Sequence, residues 1–222
     1  KIRKIISIVL VLNLTFNKEK KNMRIAIDID DCLTNTCEVD FATCYIWNRQ
    51  HHPEDKKQRL PINHNAPTIF EYSKEEDDAF YIYQRKLVIE QDLIKPKIYA
   101  REILQKLLDE GHEIYIVTGR GDLYWGNSYN ESKKWLERYG INYTALFTNY
   151  SDKGSFCKEH KCDILIDDNE KYLKQANDKN IHTISFWACY NDFYKHPLNH
   201  VACCWPEVYD KINFIKQKIT IE

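Results

Sequence analysis

Four short stretches carry the residues that could do chemistry. Asp28-Ile29-Asp30-Asp31 ends the apolar run that starts at Arg24. Thr118-Gly119-Arg120-Gly121 follows EIYIV, and Asp167-Asp168-Asn169 follows DILI. Lys153 opens the segment leading into DILI. Carboxylates two residues apart on extended backbone point to the same side. One can then attack while the other moves a proton. Paired acids far along the chain suit a hard divalent cation, which takes oxygen ligands. A hydroxyl and a lysine suit a phosphoryl group. Each stretch alone is ordinary: Asp caps helices and ends strands in many α/β proteins, and a Thr-Gly pair can be a plain turn. Their joint placement after successive strands carries the reading, because open α/β sheets bind ligands beyond the carboxyl ends of their strands.

The elements that must position these groups are legible from periodicity. Strands are expected at Arg24 to Ile29, Glu113 to Val117, Thr144 to Phe147, Asp163 to Ile166 and Ile181 to Phe186, with a further short one at Val201 to Cys204. Helices are expected at Tyr99 to Glu110 (closed by Gly111), Ser128 to Tyr139 (closed by Gly140), Lys153 to Glu159, Glu170 to Asp178, and Pro206 to about Lys216. Alternating strands and helices imply a mostly parallel sheet covered on both faces. Residues 34–96 break the alternation and read as an insertion after the first strand. It holds helical pieces at Glu38 to Asn48 and after Ser73, where Ser73 and Glu76 form a capping box. A polar loop with three prolines, His51 to Pro67, joins them.

The chain has 222 residues and a formal net charge of −1, long enough for one domain with an insertion. Its 29 aromatic residues argue against disorder. Lys1 to Asn22 is set apart by composition, with six basic residues, one acidic residue and a short apolar run. A signal peptide is one reading, but no small-residue cleavage site follows and the run is too short to span a bilayer. The preferred expectation is upstream sequence read in frame. Lys18-Glu19 can be encoded as a ribosome-binding sequence three codons before Met23, the chain's one Met. Residues 23–222 then carry 26 basic and 32 acidic side chains, a net charge of −6. That balance disfavours nucleic acid as a partner. The eight cysteines are expected as reduced thiols. Cys157, His160 and Cys162 form a zinc-like grouping without a CxxC pair, for which buried structural cysteine is the favoured reading.

Together the four stretches resemble the haloacid-dehalogenase superfamily of phosphohydrolases. IAIDIDDCL at Ile25 to Leu33 matches the first motif and IYIVTGR at Ile114 to Arg120 the second. Lys153 matches the third, and DILIDDN at Asp163 to Asn169 the fourth. The compact arrangement is similar to the 5′(3′)-deoxyribonucleotidase branch and its bacterial nucleotidase relatives.

The resemblance implies a Rossmann-like parallel sheet of order 3-2-1-4-5 with helices on both faces. Residues 23–33 and 97–222 form its core, with a small helical cap at 34–96. It implies Mg²⁺ as cofactor, held by Asp28, Asp30, Asp167 and Asp168. It implies Asp28 as nucleophile, Asp30 as acid/base, and Thr118 and Lys153 as phosphate-binding catalytic residues. Arg120 is expected either to touch phosphate or to lie on the surface. The cap aromatics Phe41, Tyr45, Trp47, Phe70, Tyr72, Phe80, Tyr81 and Tyr83 are expected mostly to pack, with some available to stack on a base.

The implied activity is hydrolysis of a small phosphorylated substrate, a (deoxy)nucleoside monophosphate, in the cytoplasm, with no nucleic acid or membrane partner and a homodimer left open. Alternatives are a sugar-phosphate phosphatase or phosphomutase of the same superfamily, or a non-catalytic phosphate-binding module. Receiver domains place their acidic pair first, whereas here the DxD comes first and the acidic pair last. The chain departs from the superfamily at Cys32, which stands where Thr or Val is usual. A thiol is the weaker hydrogen-bonding group.

Overall fold

The computed structural model describes residues 22–55, 66–188, 190–191 and 194–221. The reading of Lys1 to Asn22 therefore falls almost wholly outside the described residues, as does the middle of the His51 to Pro67 loop. Strand β1 (Arg24–Ile27) lies at the centre of the sheet. Ile25, Ala26 and Ile27 are buried on both of its faces, so the strand reads as a continuous apolar run without alternation. On one side it pairs in parallel with β2 (Glu113–Val117), which pairs with β3 (Ala145–Phe147). On the other it pairs with β4 (Ile164–Asp167), followed by β5 (His182–Phe186) and β6 (Asn199–Ala202). The order is 3-2-1-4-5-6, the expected order with the sixth strand added at the edge. Because the chain builds outward on one side and then crosses β1 to build on the other, the β1/β4 crevice is the topological switch point. Ile25 is in register with both Ile114 and Ile164, which brings Asp28 and Asp167 to the same edge.

Helices α1 (Thr36–His51) and α2 (Lys74–Gln91) lie between β1 and β2, with a 3₁₀ turn at Ala66–Phe70. Ser73 caps α2 with the reciprocal Glu76 bond expected from sequence. This segment has an apolar cluster of its own, built on Cys37, Phe41, Cys44, Ile69, Phe70 and Phe80. Its two ends pair side by side where it leaves and rejoins the sheet. Thr34 bridges Pro96 in antiparallel fashion, the Asn35 amide donates to Lys95 O at 3.1 Å, and the Lys97 amide donates to Leu33 O at 2.7 Å.

The remaining helices are α3 (Ala100–Asp109), α4 (Asp122–Trp125), α5 (Ser128–Arg138), α6 (Lys153–Glu159), α7 (Glu170–Asn177) and α8 (Trp205–Ile221). Gly111 and Gly140, the closing residues after α3 and α5, take left-handed φ of 86° and 62°. Ile25 and Ile27 share one core with Leu104, Leu107, Trp205, Val208 and Ile212. Ala26, Val117 and Leu165 face Phe156, Cys157 and Ala176 on the other side. Cys157 and Cys162 thus belong to an apolar layer, and His160 stacks on Phe156. The four-residue α4 was not expected: one turn is too short to show helical periodicity. Among the described residues no helix is long and apolar enough to cross a membrane.

Helices α6 and α7 touch at Gly154. A Cβ there would lie 2.2 Å from the Gln175 carbonyl oxygen, a backbone atom that cannot swing aside. Gly154→Ala is expected to lower stability by about 3 kcal/mol. It should also lower activity, because α6 must shift and Lys153 is its first residue. Thermal melting and turnover of the variant check this; wild-type values for both would mean the helices separate freely.

Candidate active site

Asp28 leaves β1 with its amide bonded to Ile166 O at 3.0 Å, so its position follows from sheet pairing. Asp31, three residues on, takes a left-handed φ of 58° that turns the chain back on itself. Leu33 and Thr34 close the turn by bonding Ile29 O. The sheet edge thereby gathers Asp28, Asp30, Asp31, Thr118, Arg120, Lys153, Asp167 and Asp168 around a cavity of about 350 Å³. Every predicted site residue lines it.

Lys153 is the hub. It is 1% exposed, and its Nζ donates to Asp28 Oδ1 and to Asp167 Oδ2, both at 2.6 Å. Burial alone would lower its pKa, but Asp167 and Asp28 outweigh burial and raise it, so the ammonium stays charged. The second Asp167 oxygen accepts from the Asn169 amide at 2.9 Å. Both Asp167 oxygens are therefore engaged. Asp168 is placed differently. One of its carboxylate oxygens, one from Asp28 and the Cys32 sulfur all lie within 4.8 Å of one another.

The Tyr190 hydroxyl bridges Asp31 Oδ2, at 2.9 Å, and Asp168 Oδ2. A hydroxyl has one hydrogen, so one of those carboxyl groups must hold a proton when both contacts are made. The electrostatics agree. Burial, opposed in part by Lys153, pushes Asp28 up to about 7. Burial likewise pushes Asp31 up to about 7, and burial with the neighbouring Asp167, Asp31 and Asp28 charges raises Asp168 well above the usual carboxylate range. Crowded carboxyl groups that retain protons at neutral pH are short of positive charge. The carboxylate oxygens among these donors fit a hard divalent cation such as Mg²⁺.

Asp30 lines the cavity but is already paired: Arg120 grips it through both oxygens, Nε to Oδ2 at 2.8 Å and Nη2 to Oδ1 at 2.7 Å, and Thr36 donates to Oδ1 at 2.6 Å. Burial works to raise its pKa, but Arg120 overcomes this and holds Asp30 well below the carboxylate range. Arg120 is accordingly no surface residue. It is 4% exposed and lies over the Trp125 ring at 4.0 Å. The Thr118 hydroxyl accepts the Arg120 amide at 3.2 Å.

Several lining residues were not anticipated. Asp31 sits inside the quoted DIDDC run and could have been flagged by position. Tyr190 had no sequence signal. Arg85 comes from α2, ion-pairs with Asp40 at 2.9 Å and approaches the Trp125 ring at 4.9 Å. Of the eight aromatics marked in residues 34–96, Tyr81 lines the cavity, and Tyr124 and Trp125 join it from α4. Phe41, Phe70 and Phe80 are buried packing residues.

The raised carboxyl pKa values set a pH dependence. An unfolded aspartate titrates near about 4. Between there and about 7 the folded protein holds protons on Asp28 and Asp31 that the unfolded chain has lost, so these groups reduce stability as pH rises through that window. Thermal melting in a chelator should fall from pH 5 to pH 8. Magnesium should raise it most at pH 8, by about 2.7 kcal/mol or ~5–10 °C at a hundredfold excess over Kd. A melting temperature indifferent to magnesium at pH 8 would place no cation among these carboxylates.

Residues 22–219 match the family model for the 5′ nucleotidase, deoxy (pyrimidine), cytosolic type C protein. A candidate nucleotidase of Bacillus cereus is 27% identical over 198 residues, covering 86% of this chain and 98% of its own length. A candidate 5′(3′)-deoxyribonucleotidase of Chlorobaculum tepidum is 30% identical over 138 residues, 60% of this chain and 61% of the relative. Among solved structures, a candidate phosphatase from Clostridium difficile superposes with a TM-score of 0.64 at 14% identity, covering 87% of this chain and 100% of that one. A haloacid dehalogenase-like hydrolase from Streptococcus pneumoniae gives 0.60 at 13% identity, covering 86% and 98%. At these identities the structures speak for the fold.

Proposed function

Since this chain belongs to the cytosolic type C family of deoxy (pyrimidine) 5′ nucleotidases and is a phosphatase, we propose that it hydrolyses (deoxy)nucleoside 5′-monophosphates with magnesium, through a phosphorylated Asp28. One observation carries the reading. The ammonium of Lys153, 1% exposed, bridges carboxylates from the ends of β1 and β4, with Asp168 beside them. That arrangement leaves one nucleophile, one fixed cation and a cluster short of positive charge in a single cavity.

Asp28 attacks phosphorus. Lys153 favours its ionised form against the effect of burial and lowers the charge repulsion that a phosphate dianion presents. The Thr118 hydroxyl lies at the end of β2, where it can donate to a phosphoryl oxygen. Asp28, Asp168 and the main-chain carbonyl of Asp30 would hold the magnesium ion, which supplies charge neutralisation and orientation of the phosphate. Asp167 serves the site through Lys153, since both its oxygens are already bound. Asp30 donates a proton to the leaving alcohol and then accepts one from the hydrolytic water. For that it must first leave Arg120. The incoming phosphate is a competing anion for that guanidinium, two residues from Thr118. A cytoplasmic location rests on the family description. The proposed partner is the small phosphorylated substrate.

Asp30→Asn is expected to cost about 10²–10⁴-fold on a nucleoside monophosphate. On p-nitrophenyl phosphate, whose leaving group needs no proton, the loss in the rate of Asp28 phosphorylation, read as single-turnover release of nitrophenolate, should be much smaller. Equal losses of that step on both substrates would remove Asp30 as the acid for the leaving group. The function itself is tested by magnesium-dependent phosphate release across nucleoside monophosphates and sugar phosphates. Preference for deoxypyrimidine monophosphates supports the reading, and turnover of sugar phosphates alone rejects it.

A further inference from the structure

Cys32 is fully buried and is grouped with the Asp28 and Asp168 carboxylates. Its sulfur stands 3.9 Å from Asp168 Oδ1 and shares the 4.8 Å grouping with Asp28. With zinc–sulfur and zinc–oxygen bonds of about 2.3 and 2.0 Å, a thiolate and a carboxylate on one tetrahedral ion lie about 3.5 Å apart. A shift of a few tenths of an ångström (roughly the difference between those two separations) turns this pair into ligands. The loop that presents the sulfur is fixed in place. The buried Trp205 indole donates to Cys32 O at 3.0 Å, and the Leu33 amide donates to Ile29 O at 2.9 Å.

We propose that Cys32 makes this site thiophilic: ions of the zinc and cadmium class bind through Cys32 Sγ together with the Asp28 and Asp168 carboxylates, in competition with magnesium. The proposal rests on the reading above that these carboxylates hold a divalent cation. Magnesium takes oxygen ligands and leaves the sulfur outside its sphere. Zinc and cadmium accept thiolate and hold it strongly. Binding displaces the thiol proton, which leaves to solvent. An ion held this way occupies an Asp28 oxygen and stops phosphoryl transfer, so micromolar zinc or cadmium acts as an inhibitor that excess magnesium relieves only slowly. With Val or Thr in place of Cys32, the soft ions lose that advantage over magnesium.

The test uses the full chain carrying Cys203→Ser and Cys204→Ser. These substitutions remove an exposed vicinal thiol pair that would bind the same ions. Cadmium titration should produce an ultraviolet thiolate-to-metal charge-transfer band that saturates at one equivalent. Adding Cys32→Val should abolish the band and weaken cadmium binding at least about tenfold. Cys32→Thr serves as a second replacement, with circular dichroism confirming that each variant folds. A band that persists in both replacements, or never forms in the starting protein, overturns thiol ligation. Manganese, an oxygen-seeking ion, is followed by its electron paramagnetic resonance in the starting protein. Manganese binding without a cadmium band sinks the thiol ligand and leaves the hydrolase reading standing. Binding of neither ion sinks both.

Discussion

Asp28→Asn is expected to lower phosphate release by on the order of 10⁴–10⁶-fold, the scale seen when a covalent nucleophile is removed. An amide oxygen cannot form a stable acyl phosphate, and nothing else in the cavity replaces it. Asp30 is gripped by Arg120, Asp167 is bound by Lys153 and Asn169, and Asp168 is held by the Tyr190 hydroxyl. The fold should survive. Asp28 already resists ionisation because burial pushes it up to about 7. Its replacement by a neutral amide of the same shape relieves the crowding of like charge. Melting of the metal-free variant at pH 8 is therefore expected at or above the wild-type temperature. Substrate should still bind, and no radiolabelled phosphate should become attached to the protein. Near-wild-type turnover in a folded Asp28→Asn protein would falsify the assigned nucleophile.

Lys153→Met should fail in both stability and rate. The substitution keeps the length of the buried stem but strands Asp28 and Asp167 without a counter-charge. Breaking a buried pair by removing one partner costs about 3–5 kcal/mol. Protonation of Asp28 softens that cost at neutral pH and at the same time disarms the nucleophile. The expected result is a fall in melting temperature of ~10 °C, with activity reduced on the order of 10³-fold. Raising the pH should recover part of the rate, because Asp28 then ionises without help from Lys153. If the variant melted and turned over as wild type, Lys153 would be a bystander. A stable variant with activity lost and no recovery at high pH would place the lysine on the phosphate alone.

The sequence announced much of the scaffold because the signals were local. Ile25 to Ile27 and Ile164 to Ile166 are apolar runs followed directly by acids, the pattern of central parallel strands buried on both faces. Gly111 and Gly140 marked helix ends because only a left-handed residue completes those turns. Ser73 and Glu76 announced α2 because the capping box is complete within four residues. Less legible were α4, one turn long, and the true extent of α8, which runs to Ile221. Tyr124 and Trp125 on α4 reach the cavity, so missing that turn also meant missing part of the cavity wall.

By itself, the sequence determined which residues meet at one sheet edge: Asp28, Thr118, Lys153 and Asp167 each sit at or just after a strand end or at the start of a helix, and the order of strands carries them there. How those residues divide the work was decided by tertiary structure. Asp30 and Arg120 are separated by 90 residues, and Tyr190 and Asp31 by 159. Their pairing depends on sheet register and on how loops close over the edge, which no local propensity encodes. For the same reason the choice between Asp167 and Asp168 could not be made from two adjacent aspartates. It took the Lys153 ammonium, reaching Asp167 and not Asp168, to tell the two apart: one carboxylate holds the lysine and the other lies beside Asp28 and Cys32.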